Sequence, residues 1–268
     1  MITFASVLYT QAGQFLPDLI NSINNQTTED FTCLFLNDNY ETFPEFELKV
    51  PFTVATRFGQ GLTPQLLRIE LLKEAKKAGV DLLIIGDADD TFSPERVKSL
   101  SESYKADPEA VFYYNDLTAT TGEKIFKDLP AQLTDGRQVS QSNFLGMSTT
   151  AINMKFLTEE WIETLYEGDT VIFDWYLYTR LLCDFGHANY VPSADTFYRI
   201  HDANEVGTVI DREREIKVKL THYENLGKRY PYFKALYDSL AADKYKEVTP
   251  ENGHWWNAIL TEENNHEI

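Results

Sequence analysis

Short apolar runs alternate with amphipathic stretches through the first half of the chain, the pattern of β-α-β units around a mostly parallel sheet. Ile2–Tyr9 (ITFASVLY) reads as a strand, and Phe15, Leu16, Leu19, Ile20 and Ile23 then recur at helical spacing. Residues 31–36 form a second apolar run that ends abruptly at Asn37-Asp38-Asn39. Thr63-Pro64 starts a helix, with a capping hydroxyl and a proline in the first turn. Leu66, Leu67, Leu71, Leu72, Ala75 and Ala78 follow on one broad face, and Gly79 ends it. Residues 80–85 are the clearest buried strand. Ser93-Pro94-Glu95 opens another helix by the same capping logic, and residues 111–114 make the next strand.

The second half is less regular. Thr158-Glu159-Glu160 reads as a helix start, and residues 172–185 are bulky and apolar at helical spacing. Residues 187–191 and 196–200 read as two short strands. Beyond His201 the pattern becomes that of charged helix, over 210–225 and again over 233–243, and residues 262–267 read as a solvated tail. The pattern predicts an α/β fold with a helical C-terminal extension.

The 268 residues suit one large α/β domain with an appended piece, and 43% hydrophobic with 25% charged residues is the composition of a folded chain. Lys and Arg number 24 against 42 Asp and Glu, a formal charge of −18. Such a field repels extended polyanions, which argues against non-specific binding to nucleic acid or to an anionic membrane and leaves room for a local phosphate pocket. Cys33 and Cys183 both sit in apolar stretches and read as buried free thiols. No leader is evident, and no apolar run approaches the roughly 20 residues of a membrane span. The expectation is a cytoplasmic protein without a transmembrane segment.

Ligands of open α/β sheets bind beyond the carboxyl ends of the strands. Three such ends carry polar residues here: Tyr9-Thr10, Asn37-Asp38-Asn39 and Asp87-Ala88-Asp89-Asp90. The last is the sharpest signal. Three carboxylates within four residues repel one another unless a cation or hydrogen-bond donors compensate. A hard divalent ion, Mg²⁺ or Mn²⁺, shared with substrate phosphates is one solution, and a solvated turn before a helix is the other. Asp38 at its strand end suits hydrogen bonding to a base of the uracil type or a local turn. Arg68 suits a diphosphate, the Asp87 cluster or an exposed helix face.

The order of these features resembles glycosyltransferases of the family 2 type, which have the GT-A fold. Ser22-Ile23-Asn24-Asn25-Gln26-Thr27 is similar to that family's helix-end phrase, and Asn37-Asp38-Asn39-Tyr40 stands at its Asp-Asp-Gly-Ser. Gly61, Arg68 and the Asp87 cluster follow in the family's order. Phe173-Asp174, Arg180, Gly186 and Tyr198-Arg199-Ile200-His201 correspond to its closing Glu-Asp…Arg…Gly…Tyr-Arg-x-His series. The resemblance spans residues 1–205, while Asn37 and Phe173 depart from it by replacing acids.

The resemblance implies a metal-dependent, inverting transfer of a sugar from a nucleotide-diphosphate sugar, a UDP-sugar, to a hydroxyl acceptor on a glycan or lipid-linked carrier, in glycan or polysaccharide synthesis. It implies a donor-binding half over about 1–116, an acceptor half over about 117–205 and a helical extension over 206–268 packed on the same domain. Thr10, Asp38, Arg68, Asp87 and Arg199 are then expected at the donor, and Asp89 and His201 at the Mn²⁺ or Mg²⁺ ion. Asp174 is the expected catalytic base, its pKa raised by the aromatic residues beside it, with Asp169 as the alternative. Trp161 and Trp175 could stack on a sugar but read more simply as core. Two other readings stand beside this one. A non-catalytic nucleotide-sugar-binding or scaffolding protein is suggested by Phe173. A sugar nucleotidyltransferase is disfavoured by the absence of a basic residue from Tyr9-Thr10-Gln11-Ala12-Gly13.

Overall fold

The computed structural model of the protein describes residues 1–57, 61–168, 172–199 and 211–263. Strand β1 (Ile2–Tyr9) pairs in parallel with β2 (Thr32–Asp38) on one side and β4 (Leu82–Ile85) on the other, and β2 continues in parallel to β3 (Phe52–Thr56). The order then runs from β4 through β8 (Thr150–Asn153), β6 (Phe112–Ala119) and β9 (Ala188–Tyr198) to β5 (Thr91–Phe92), with β7 (Gln132–Leu133) also on β9. β8 runs antiparallel to both its neighbours, and β6 and β9 pair in parallel.

The side-chain alternation of β1 places one layer on each face of this sheet. Phe4 and Leu8 pack with helices α1 (Leu16–Asn24) and α3 (Arg96–Ala106). Ala5 and Val7 face the opposite layer, which holds α2 (Pro64–Lys77) and α5 (Phe173–Phe185). The crossover through α1 and the one through α2 therefore cover opposite faces, so a crevice opens at the carboxyl ends of β1 and β4. Thr63 caps α2 as expected, its hydroxyl accepting from the Leu66 amide at 3.3 Å.

Three features differ from the pattern-based expectation. β3 lies at the sheet edge with Phe52 and Val54 exposed, so its sequence shows no buried alternation. β8 is short and polar at both ends, where Thr150 and Asn153 are satisfied inside the fold; the Asn153 amide donates to the carbonyls of Pro108 and Ala110. The two short strands expected near 187–200 are one strand, β9. Its exposed Pro192-Ser193 interruption is absorbed by a register shift against β6 between Tyr114 and Asp116.

Beyond the sheet, α4 (Glu159–Glu163) precedes α5, and α6 (Arg212–Gly227) and α7 (Pro231–Ala241) pack against each other. Tyr223, Leu226, Phe233, Leu236 and Leu240 join the apolar layer of α2 and α5. The C-terminal part also contains a hairpin, β10 (Tyr245–Glu247) and β11 (Ile259–Thr261). The boundary expected at 205 lies outside the described residues. Cys33 is buried and Cys183 half-buried, and burial pushes both thiols up to about 12. Among the described residues no helix is long and apolar enough to cross a membrane.

Candidate functional site

Register puts three strand ends on one rim. Tyr9 of β1 stands opposite Asp38 of β2, Ala5 opposite Ile85 of β4, and the Gly86 amide donates to the Ala5 carbonyl at 3.0 Å. Gly86 then turns the chain into the acidic loop. A Cβ there would lie 2.4 Å from the Phe92 ring and 2.6 Å from the Phe4 ring, so only glycine fits. Thr10 is exposed at the end of β1, its hydroxyl donating to Gln11 Oε1 at 3.1 Å. Asp38 is half-buried and accepts from Asn39 Nδ2 at 2.6 Å, and burial pushes its carboxyl up. Asn37, which replaces an acid of the resembling family, is buried. Its amide donates to the Tyr40 carbonyl at 3.1 Å and accepts from the Tyr40 amide at 3.0 Å. A carboxylate could not do both.

The acidic loop is held from three sides. Arg68 Nη2 in α2 lies 3.6 Å from Asp87 Oδ1. The Asp87 amide donates to Ser148 Oγ at 3.1 Å, and the Ser148 hydroxyl also bonds the Asp90 carboxylate. Arg199, at the end of β9, donates its backbone amide to Asp90 at 3.3 Å and Nε to the Asp89 carbonyl at 3.1 Å. Its Nη2 reaches Asp18 at 2.7 Å, and its guanidinium lies 4.8 Å from the Phe15 ring centroid. Beneath the loop, buried Arg96 donates to the carbonyls of Ile85 and Ser148, both at 2.8 Å, and to Asn115 Oδ1 at 3.1 Å. Burial lowers the Arg96 pKa to about 9. Burial raises Asp87 and Asp90, the neighbouring acids add to it, and Arg68 pulls Asp87 back. The Tyr9 phenol is raised by burial and by the charges of Asp89, Asp87 and Asp90.

Asp174 sits in the first turn of α5, where the helix dipole favours a negative charge. Its Oδ1 accepts from the Trp175 amide at 2.6 Å and from Asn143 Nδ2 at 3.4 Å. One turn on, the buried Tyr178 hydroxyl bonds Thr150, and its phenol is raised by burial and further by the charges of Asp174 and Asp87. Phe173 is buried in the core and contributes nothing to the rim.

The structure therefore gathers Arg68, Asp87, Asp89 and Arg199 at the end of β4, sets Thr10 and Asp38 at the neighbouring strand ends, and places Asp174 in the first turn of α5. His201 and Asp169 lie outside the described residues. Trp175 is fully buried, donates to the Val139 carbonyl at 2.6 Å and stacks on His222 at 3.9 Å. Trp161 donates to Asp184 at 2.7 Å under the Arg180 guanidinium. Both tryptophans are packing residues. Sequence reasoning missed Ser148, Arg96, Asp18 and Asn143. Arg96 and Asp18 stand in the first turns of α3 and α1 and belong to no motif, and Ser148 and Asn143 lie in uncharged segments without a local pattern.

Among the described residues no three Asp, Glu, His or Cys side chains converge to hold an ion by themselves. Asp87 and Asp89 are half-buried oxygen donors at the cleft, which suits a hard cation that shares its shell with substrate phosphates.

Neither a protein-family model nor a curated protein matches the sequence. Solved structures share its fold. S. aureus TarS 1–349 in complex with UDP-GlcNAc superposes with a TM-score of 0.58 at 11% identity, over 91% of this chain and 73% of that one. The same protein with UDP gives 0.57 at 13%, over 91% and 70%. GalNAc-T7 with UDP, GalNAc and Mn²⁺ gives 0.57 at 13%, over 89% of this chain and 50% of that one. These are GT-A structures, and the chain has their fold.

Proposed function

We propose that this protein is a glycosyltransferase that moves a sugar from a nucleotide-diphosphate sugar, a UDP-sugar, to a hydroxyl acceptor with inversion. The observation that carries the reading is the set of Arg68, Asp87, Asp89 and Arg199 at the ends of β4 and β9, at the switch point of a fold whose solved examples hold UDP and UDP-GlcNAc. Asp38, beside Tyr9, accepts a hydrogen bond from the uracil. Thr10 and Asp87 line the ribose side, and Arg68 and Arg199 face the diphosphate, where a planar guanidinium suits paired phosphate oxygens.

A divalent ion at Asp89, with diphosphate oxygens completing its shell, would neutralise charge on the leaving group. The described residues fit that arrangement. The chain's own chemistry is proton transfer and orientation. The acceptor oxygen forms a bond to the anomeric carbon while the bond to the diphosphate breaks, and the diphosphate leaves with the electron pair. Asp174 takes the acceptor proton as general base. The Asn143 amide orients its carboxylate at the amino end of α5. A single displacement inverts the anomeric centre, and the acceptor belongs to glycan or polysaccharide synthesis. The test is incubation with a UDP-sugar panel and Mn²⁺, following both UDP release and the glycoside formed. UDP release with an inverted glycoside is expected, and absence of turnover with every donor and acceptor would leave a nucleotide-sugar-binding protein without catalysis.

A further inference from the structure

Trp255 and Asp174 both border the space beside Gly146. A side chain begun at Gly146 would stand 3.9 Å from Asp174 Oδ2 and 3.9 Å from Trp255 Cζ3, so carboxylate and indole edge flank one small space. Asn143 joins them. It is fully buried, its backbone amide and carbonyl both pair with Trp255 at 2.9 Å, and its side-chain amide reaches Asp174. The indole packs edge-on against Phe126 at 4.8 Å and approaches Tyr198, next to Arg199, at 6.4 Å, yet it stays half-exposed.

The segment that carries Trp255 is rigidly anchored. Gly253 has φ +74° and passes so close to the Ile125 carbonyl that no Cβ fits. The Lys127 amide donates to the Asn252 carbonyl at 2.9 Å. Just beyond, buried Glu215 of α6 accepts from the amides of Ala258 and Ile259, at 2.9 and 2.7 Å, and buried Lys219 donates to the carbonyls of Gln141 and Ile259. These buried side chains bond the backbone of Ala258 and Ile259 and fix the segment to α6. Trp256 packs the other way, with Ile172, Trp175 and Val218.

From this juxtaposition we infer that Trp255 is the acceptor platform and that the acceptor is a pyranose sugar; the inference rests on the proposed transfer reaction and names its substrate class. A preorganised indole offers a flat apolar face carrying negative charge density, which suits the polarised C–H bonds on one face of a pyranose ring. A ring-free polyol offers no such face. A phosphate-rich acceptor meets the acids of the rim and a chain of charge −18.

The test uses the full chain labelled with 5-fluorotryptophan and saturated with UDP. Methyl gluco-, galacto- and N-acetylglucosaminopyranosides are titrated against ribitol and glycerol phosphate, followed by fluorine resonance. The Trp255 signal, assigned by its loss in Trp255→Leu, is expected to shift with a pyranoside and not with the ring-free probes. Trp255→Leu is expected to weaken the pyranoside about 10-fold while UDP affinity stays unchanged. Gly146→Ala adds a methyl group at ordinary contact distance in the same space, folds without strain and is expected to weaken the pyranoside in the same way. An unmoved Trp255 signal, an equal shift with ribitol, or pyranoside affinity unchanged in both variants overturns the inference. Absence of UDP binding by the wild-type chain would instead overturn the reading on which it rests.

Discussion

Arg68 reaches from α2 to within 3.6 Å of the Asp87 carboxylate, across the crevice that the opposite crossovers of α1 and α2 leave open. The guanidinium is 28% exposed and the carboxylate 39%, so the pair contributes little to stability and stands where a ligand can meet it. Arg68→Ala is expected to weaken UDP binding about 10- to 100-fold, the range for a charged hydrogen-bond partner, with thermal stability little changed. Calorimetric titration checks this, and equal affinity would remove Arg68 from the donor site.

Asp38 stands opposite Tyr9 at the end of β2, and its carboxylate accepts a hydrogen bond from Asn39. Asp38→Ala is expected to cost UDP about 1–3 kcal/mol while leaving inorganic diphosphate binding unaltered. Comparing uridine and diphosphate affinities in the variant separates recognition of the base from a general loss of the loop.

Asp174→Asn is expected to lower transfer by about 10²–10⁴-fold and to leave UDP affinity intact, because a general base touches the acceptor and not the diphosphate. Asp169→Asn removes the same charge from the nearest competing acid and is expected to stay active. Steady-state rates of both variants decide the assignment; an active Asp174→Asn enzyme beside a dead Asp169→Asn enzyme reverses it.

His222 gives the fold a pH dependence. Buried against Trp175, with Lys219 nearby, its pKa is lowered from 6.5 to about 3. The unfolded chain takes up this proton near the usual value while the native protein refuses it, so stability falls as pH drops through that window. Relative to His222→Phe, the wild-type chain is expected to lose up to about 1.4 kcal/mol per pH unit below pH 6. Urea denaturation across pH measures it, and parallel stability curves for the two proteins would contradict it.

Much of the fold was legible because the sheet interior is written in unbroken apolar runs such as Ile2–Tyr9 and residues 80–85, and the acids at 87–90 stand where such a run stops. β3 was not legible, since an edge strand with exposed Phe52 and Val54 has no face to alternate. β8 hides its pattern because Thr150 and Asn153 are polar residues satisfied by distant carbonyls and hydroxyls. The links that build the cleft are long-range: Ser148 to Asp87, Arg199 to Asp18, and Asn143 to Trp255 each join segments far apart in sequence. No local period can report them.

The central claim is a nucleotide-diphosphate site at the carboxyl ends of β1, β2 and β4. Titration of UDP into the wild-type chain with and without Mn²⁺, repeated with Asp89→Ala, tests it most directly. The account predicts one UDP per chain, bound more tightly with Mn²⁺, and loss of the metal-dependent gain in Asp89→Ala with the fold intact. No binding of UDP under either condition, or a metal response that survives in Asp89→Ala, would contradict it.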